Sequence, residues 1–191
     1  MTRRMCFLFA AMAVIPAAVP AQEPASAPAP TQAPANPISA SQGKIYTMLS
    51  GIVIAAAEKM PEESYSFKPT PDVRSFGQLV GHLADSQYFF CSSVTGEAKP
   101  ASDAEKSKTG KAELVAALKE AVVYCGKTYA GMTDAKGGEM MKLMNTDFAK
   151  LAVLSANTAH DYEHYGNMVT YMRLKGIVPP TSEKKSEPAQ K

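Results

Sequence analysis

His160 and His164 stand four residues apart in the stretch His160-Asp161-Tyr162-Glu163-His164, and His82 completes the chain's set of three histidines. Positions i and i+4 of an α-helix lie about 40° apart on one face, so both imidazoles can turn toward a single point. Two nitrogen ligands from one helix and one from another would make a three-histidine site with a coordination position left open, as in catalytic rather than closed structural zinc centres. Spacing alone leaves a second reading beside this one, in which the rings are hydrogen-bonded core residues without a metal. The residue after His160 is Asp161, where a zinc peptidase carries the Glu that acts as general base, and this argues against peptidase chemistry.

Helices must position these residues. Phe148, Leu151, Leu154, Tyr162, Tyr165 and Val169 recur at helical intervals, and Val153, Asn157, His160, His164, Asn167 and Tyr171 trace a second stripe. The first stripe is expected to pack and the second to present polar groups, on a helix from about Thr146 to Lys175 that ends at Gly176 before Pro179-Pro180. His82 falls in another helix, where Ser75 and Gln78 form a capping box and Phe76, Leu79, Val80, Leu83, Gln87 and Phe90 mark the inner side. It lies on the flank of that stripe, facing an interhelical cleft. A first helix, capped by Ser39 or Ser41, carries Ile45, Met48, Leu49, Ile52, Val53 and Ala56 and stops before Pro61. A third, capped by Thr109, carries Leu114, Ala117, Leu118, Ala121, Val122 and Cys125 and ends near Met132. Residues 62–74 and 97–110 read as connections. Met140, Met141 and Met144 read as gap-fillers in a core or loop, with soft ligation of Cu(I) as the other reading. No strand pattern is visible, so the fold class is all-α.

The ends of the chain give its address. Arg3 and Arg4 precede an apolar run from Met5 to Val19, too short to span a bilayer, and Val19-Pro20-Ala21 offers a cleavage point before Gln22. Residues 1–21 thus read as a signal peptide, with an uncleaved anchor as the alternative. Residues 22–38 form an Ala/Pro-rich linker, 39–178 the folded domain and 179–191 a disordered tail. The leader holds two arginines and no acid, so 20 Lys+Arg against 18 Asp+Glu becomes 18 against 18 in the mature chain. A neutral chain without a basic patch excludes an electrostatic case for nucleic acid or an acidic membrane surface. The expected location is periplasmic or secreted.

Gly81-His82-Leu83-Ala84-Asp85 together with His160-Asp161-Tyr162-Glu163-His164-Tyr165-Gly166-Asn167 resembles the DinB-like superfamily of metal-binding four-helix bundles, over about residues 40–178. Asn167 stands where that family more usually has Gln. The resemblance implies an up-down-down-up bundle, with the second and third helices parallel and the fourth antiparallel to the second. It also implies a divalent metal, zinc or nickel, on His82, His160 and His164, and chemistry that ranges from thiol-dependent transfer or isomerisation to no assigned activity. The spacing agrees: His82 and His160 both lie about 20 Å from the same end of the bundle at 1.5 Å per residue. Asn157, Glu163 and Asn167 are the nearest candidates to orient the ligands, Glu163 having a plain surface reading as well. In the parallel arrangement Cys91 and Cys125 lie toward the same end of neighbouring helices, and they are the only cysteines left once Cys6 goes with the leader, so they are expected to pair. The functional expectation is a metal-dependent transferase or hydrolase that activates water or a thiol for an unidentified small molecule. The alternative is a non-catalytic binding bundle. Domains of this type commonly dimerise, so a homodimer is a further expectation.

Overall fold

The computed structural model describes residues 35–183; the expected leader, most of the expected linker and the end of the tail lie outside them. In chain order the elements are α1 (Pro37–Lys59), α2 (Phe76–Thr95), the one-turn helix α3 (Ala104–Ser107), α4 (Lys111–Ala130), the one-turn helix α5 (Asp134–Gly137), strands β1 (Met140–Leu143) and β2 (Thr146–Ala149), and α6 (Lys150–Leu174). The four long helices form the bundle, and α1 and α2 each pack against both α4 and α6.

Helix directions follow from side chains that bridge them. Gln42 in the first turns of α1 donates to Thr158 in the first half of α6, so these two run the same way. Ser39, at the start of α1, donates to Asp134, just past the end of α4, so α1 and α4 run in opposite directions. Tyr171, near the end of α6, bonds the carbonyl of Arg74 just ahead of α2. The order is therefore up-down-down-up, as the family resemblance implied. Leu49, Phe76, Leu83, Leu118, Leu154, Met168 and Met172, all essentially without exposure, fill the space between the helices. Among the described residues no helix is long and apolar enough to cross a membrane.

The helix ends show which local signals governed the chain. Ser75 accepts from the Gln78 N–H at 3.1 Å while the Gln78 side chain accepts from the Ser75 N–H at 2.9 Å, so the capping box forms as the sequence indicates. Gly96 closes α2 at φ 76°, where a side chain would be strained. The other two caps differ from expectation. Pro37, whose ring already fixes φ for a first helical turn, starts α1 ahead of Ser39, and the free N–H groups are met from a distance. The Asp134 carboxylate accepts from Ser39 N–H at 2.7 Å and Ser39 O–H at 2.8 Å. Likewise α4 is capped not by Thr109 but by Glu62, which accepts from the Lys111 N–H at 3.1 Å.

Two further corrections concern α6. The expected start near Thr146 is displaced to Lys150, because 140–149 forms an antiparallel hairpin with Leu143 opposite Thr146. Its two-residue turn, Met144 (φ 50°) and Asn145 (φ 65°), has the paired left-handed conformation that matches strand twist. Met140 and Met144 are exposed there, whereas Met141 is half-buried and packs against the core cluster around Cys91, Cys125 and Leu154. The stripe expected to pack is buried only in part: Leu154 and Tyr165 are buried but Tyr162 is 46 % exposed, while Val153, Asn157, His164 and Tyr171 of the stripe expected to present polar groups are buried too, with Asp161. The polar face of α6 turns inward because polar partners on α1, α2 and α4 meet it there. At the other end, Pro180–Ser182 forms a short turn and Thr181 bonds the Tyr165 hydroxyl at 2.8 Å, so the docked chain runs past residue 178.

Candidate metal centre

His82 projects from the second turn of α2, and His160 and His164 project from successive turns of α6, which runs antiparallel to it. Their Nε2 atoms converge: His82 and His160 are 3.0 Å apart at these atoms, and His160 and His164 are 3.1 Å apart. The three residues are the group, among those described, that could hold a metal ion. Burial, followed by the fields of His164, His82 and Arg74, pushes the His160 imidazole down to about 4. Burial also lowers His164, with His82 acting in the same direction and Glu163 in the opposite one. Both rings are therefore neutral at neutral pH, the state in which imidazole is a ligand.

The donor set suits a divalent ion. Two nitrogens, each about 2.0–2.1 Å from one ion at adjacent coordination positions, are about 2.9–3.4 Å from one another, and both observed contacts fall in that interval. The opposite ring nitrogens are arranged to match. His82 Nδ1 lies 3.0 Å from Glu105 Oε2, and a carboxylate can only accept, so the proton sits on Nδ1 and the Nε2 lone pair faces the cluster. Asn167 Nδ2 lies 3.3 Å from His164 Nδ1; the amide nitrogen donates there, and only the flipped amide, with Oδ1 in its place, would accept from Nδ1–H and leave the Nε2 lone pair free. His160 Nδ1 is buried without a partner, and so is Asn157 Oδ1, one turn earlier on the same face.

Of the three candidates for orienting the ligands, Asn167 touches a histidine. Asn157 instead directs its amide N–H groups to Gln87 Oε1 at 3.1 Å and Tyr129 Oη at 3.2 Å, beneath the cluster. Glu163 is exposed at the rim of a solvent-open cleft of about 540 Å³, which Asp72, Arg74, His164, Asn167 and Tyr171 also line. Phe90 closes the inner side, its ring centroid 5.7 Å from that of His160.

Below the histidines runs a buried polar network that sequence reasoning did not anticipate. The Gln87 amide donates to Asp161 Oδ1 at 2.8 Å and Oδ2 at 3.0 Å, and its oxygen accepts from Tyr46 at 3.1 Å. Burial pushes the Asp161 carboxyl up to about 7, the Gln87 bond acting in the opposite direction. Glu105 was missed as well, since it lies in a polar connection without periodicity. Gln87 and Asp161 did carry a signal: each sits at helical spacing from core residues of its own helix. Cys91 and Cys125 are disulfide-bonded with Cα atoms 5.3 Å apart, and Asn157 Nδ2 lies 3.7 Å from Cys125 Sγ, which ties the cross-link to this network.

A family model described as the DinB superfamily matches residues 51–168. Among solved structures, a DinB-like protein from Bacillus cereus superposes with a TM-score of 0.67 at 14% identity, covering 74% of this chain and 95% of that one. A DinB-like protein from Bacillus subtilis gives 0.62 at 20% identity, covering 75% of this chain and 99% of that one. At those identities the likeness is one of fold. No curated protein is significantly similar in sequence.

Proposed function

The chain belongs to the DinB superfamily, and from that premise we propose that it is an exported protein holding one divalent ion, zinc or nickel, on His82, His160 and His164 for transfer or hydrolysis on a small polar molecule. The convergence of three Nε2 atoms carries this reading. Contacts of 3.0 and 3.1 Å bring these ring nitrogens to the spacing of adjacent ligands on one ion, where a cation would take up their lone pairs together. When bound, such an ion supplies Lewis acidity that lowers the pKa of a water or thiol brought to it. The protein's own part is positional. The cleft beside His164 admits the substrate, Phe90 covers the inner side of His160, and Arg74, Asn167 and Glu163 offer hydrogen-bonding partners at the mouth. Export is supported by the basic-then-apolar leader and by the Cys91–Cys125 bond, which persists in an oxidising compartment.

Metal analysis of the mature chain recovered from a periplasmic fraction tests the proposal. One equivalent of zinc or nickel is expected, and His160→Ala is expected to lose it. Equal metal content in wild type and His160→Ala would overturn the site; a loaded protein inert toward thiol-transfer and ester substrates would leave metal binding as its function.

A further inference from the structure

Gly81 packs against a backbone that no other residue could approach. A Cβ built there would lie 2.6 Å from Glu105 Cα and 2.7 Å from Glu105 N, so the α3 turn rests directly on α2 only because position 81 has no side chain. One turn further along α2, the Asp85 carboxylate accepts from the Ala104 N–H at 2.9 Å and the Glu105 N–H at 3.0 Å, and Ser102 bonds it too. These contacts fix Glu105 over His82, where Oε2 meets Nδ1 at 3.0 Å. On its far side Glu105 Oε1 accepts from Arg74 Nε at 2.8 Å, and Tyr171 of α6 holds the Arg74 carbonyl at 2.9 Å. Burial disfavours the ionised carboxyl, but the Arg74 and His82 bonds outweigh it and hold Glu105 below its ordinary value.

We propose that Glu105 is a positioning residue for the metal centre: clamped on α2 by Gly81 and Asp85 and backed by Arg74, it fixes the His82 tautomer and ring so that Nε2 is presented to the ion. This rests on the reading of the three histidines as a metal site. A carboxylate behind a ligating imidazole sets its orientation and raises its basicity, and loss of such a partner costs about 10- to 100-fold in affinity. The residues on either side of His82 thereby gain a shared purpose. Gly81 and Asp85 flank the ligand in sequence because both hold the turn that carries its partner.

The test is Zn²⁺ affinity of the full chain, by competition with a chromophoric chelator, combined with ¹⁵N NMR of the His82 tautomer in metal-free protein. Glu105→Gln keeps an acceptor and loses the charge, so about a tenfold weaker affinity is expected; Glu105→Ala loses both and should approach a hundredfold. Metal-free wild type should carry the His82 proton on Nδ1, and Glu105→Ala should shift it toward Nε2, with unchanged far-UV circular dichroism. Gly81→Ala should weaken Zn²⁺ binding, and adding Glu105→Ala to it should weaken binding little further. Retained affinity, within twofold, in both Glu105 variants while His160→Ala loses zinc would overturn the proposal and spare the metal site. Wild type that fails to bind Zn²⁺ more tightly than His160→Ala overturns both.

Discussion

Replacing Gln87 by Met tests whether the buried network beneath the histidines is a single interdependent unit. Gln87 is 1% exposed, and methionine nearly matches its volume, so the change removes hydrogen bonds without opening a large cavity. The losses fall unevenly. Tyr46 keeps the Val122 carbonyl at 3.1 Å and Asn157 keeps Tyr129 at 3.2 Å. Asp161 loses both of its hydrogen bonds, at 2.8 and 3.0 Å, and stays buried. A stranded neutral group costs about 1–3 kcal/mol and a stranded buried charge about 3–5 kcal/mol. At pH 8, where the Asp161 carboxyl is mainly ionised, Gln87→Met should therefore destabilise the fold by about 3 kcal/mol. Asp161→Leu alone strands the Gln87 amide and should cost about 1–3 kcal/mol.

The double variant decides the matter, because each partner's penalty disappears when the other is also apolar. Gln87→Met with Asp161→Leu should be less destabilised than the sum of the single changes by about 1.5–3 kcal/mol. Urea unfolding of the oxidised full chain, followed by far-UV circular dichroism in chelator so that metal linkage is absent, measures all four species. Additivity within about 0.5 kcal/mol would refute the argument, since Asp161 would then have no need of Gln87.

Reducing the Cys91–Cys125 bond opens a 34-residue separation and should cost about 3–4 kcal/mol by the chain-entropy estimate, read as a lower urea midpoint in dithiothreitol with little change in circular dichroism before unfolding. Zn²⁺ at about 100 times its Kd should stabilise the wild type by about 2.7 kcal/mol and raise its Tm by roughly 5–10 °C, and His160→Ala should abolish the shift in a thermal scan. Asp134→Ala removes the acceptor at the start of α1 and should lower the urea midpoint. The Ser39 backbone bond, with the Ser39 hydroxyl and Ile38 bonds, holds the Asp134 pKa below its ordinary value against the opposing effect of burial. Its contribution is thus present above the unfolded pKa and lost as pH falls through the lower folded one, so the gap between wild type and Asp134→Ala should close on acidification below about pH 4.

What the sequence revealed and what it concealed divide along one physical line. The capping box at Ser75, the stop at Gly96 and the i, i+4 pair at 160 and 164 are local: neighbours along the chain create the hydrogen bonds or angles, and spacing is enough to read them. The caps of α1 and α4 could not be read that way, because their acceptors, Asp134 and Glu62, come from elsewhere in the chain. The inner face of α6 was misjudged for a related reason. Periodicity sorts residues by polarity, and Asn157 and Asp161 are polar, yet they are buried because Gln87 and Tyr129 offer them partners from other helices. Glu105 is the limiting case. It sits in a connection with no period, 23 residues from the histidine it touches, and it reaches that ring only because Gly81 lets two backbones meet. A ligand set written into one helix face can be read from spacing, whereas the groups that orient it come from wherever the packing brings a carboxylate or amide within reach. The residues flanking a ligand on its own helix are therefore the place to look for them: at Gly81-His82-Leu83-Ala84-Asp85 the small residue and the carboxylate serve a distant turn, and that turn serves the ligand.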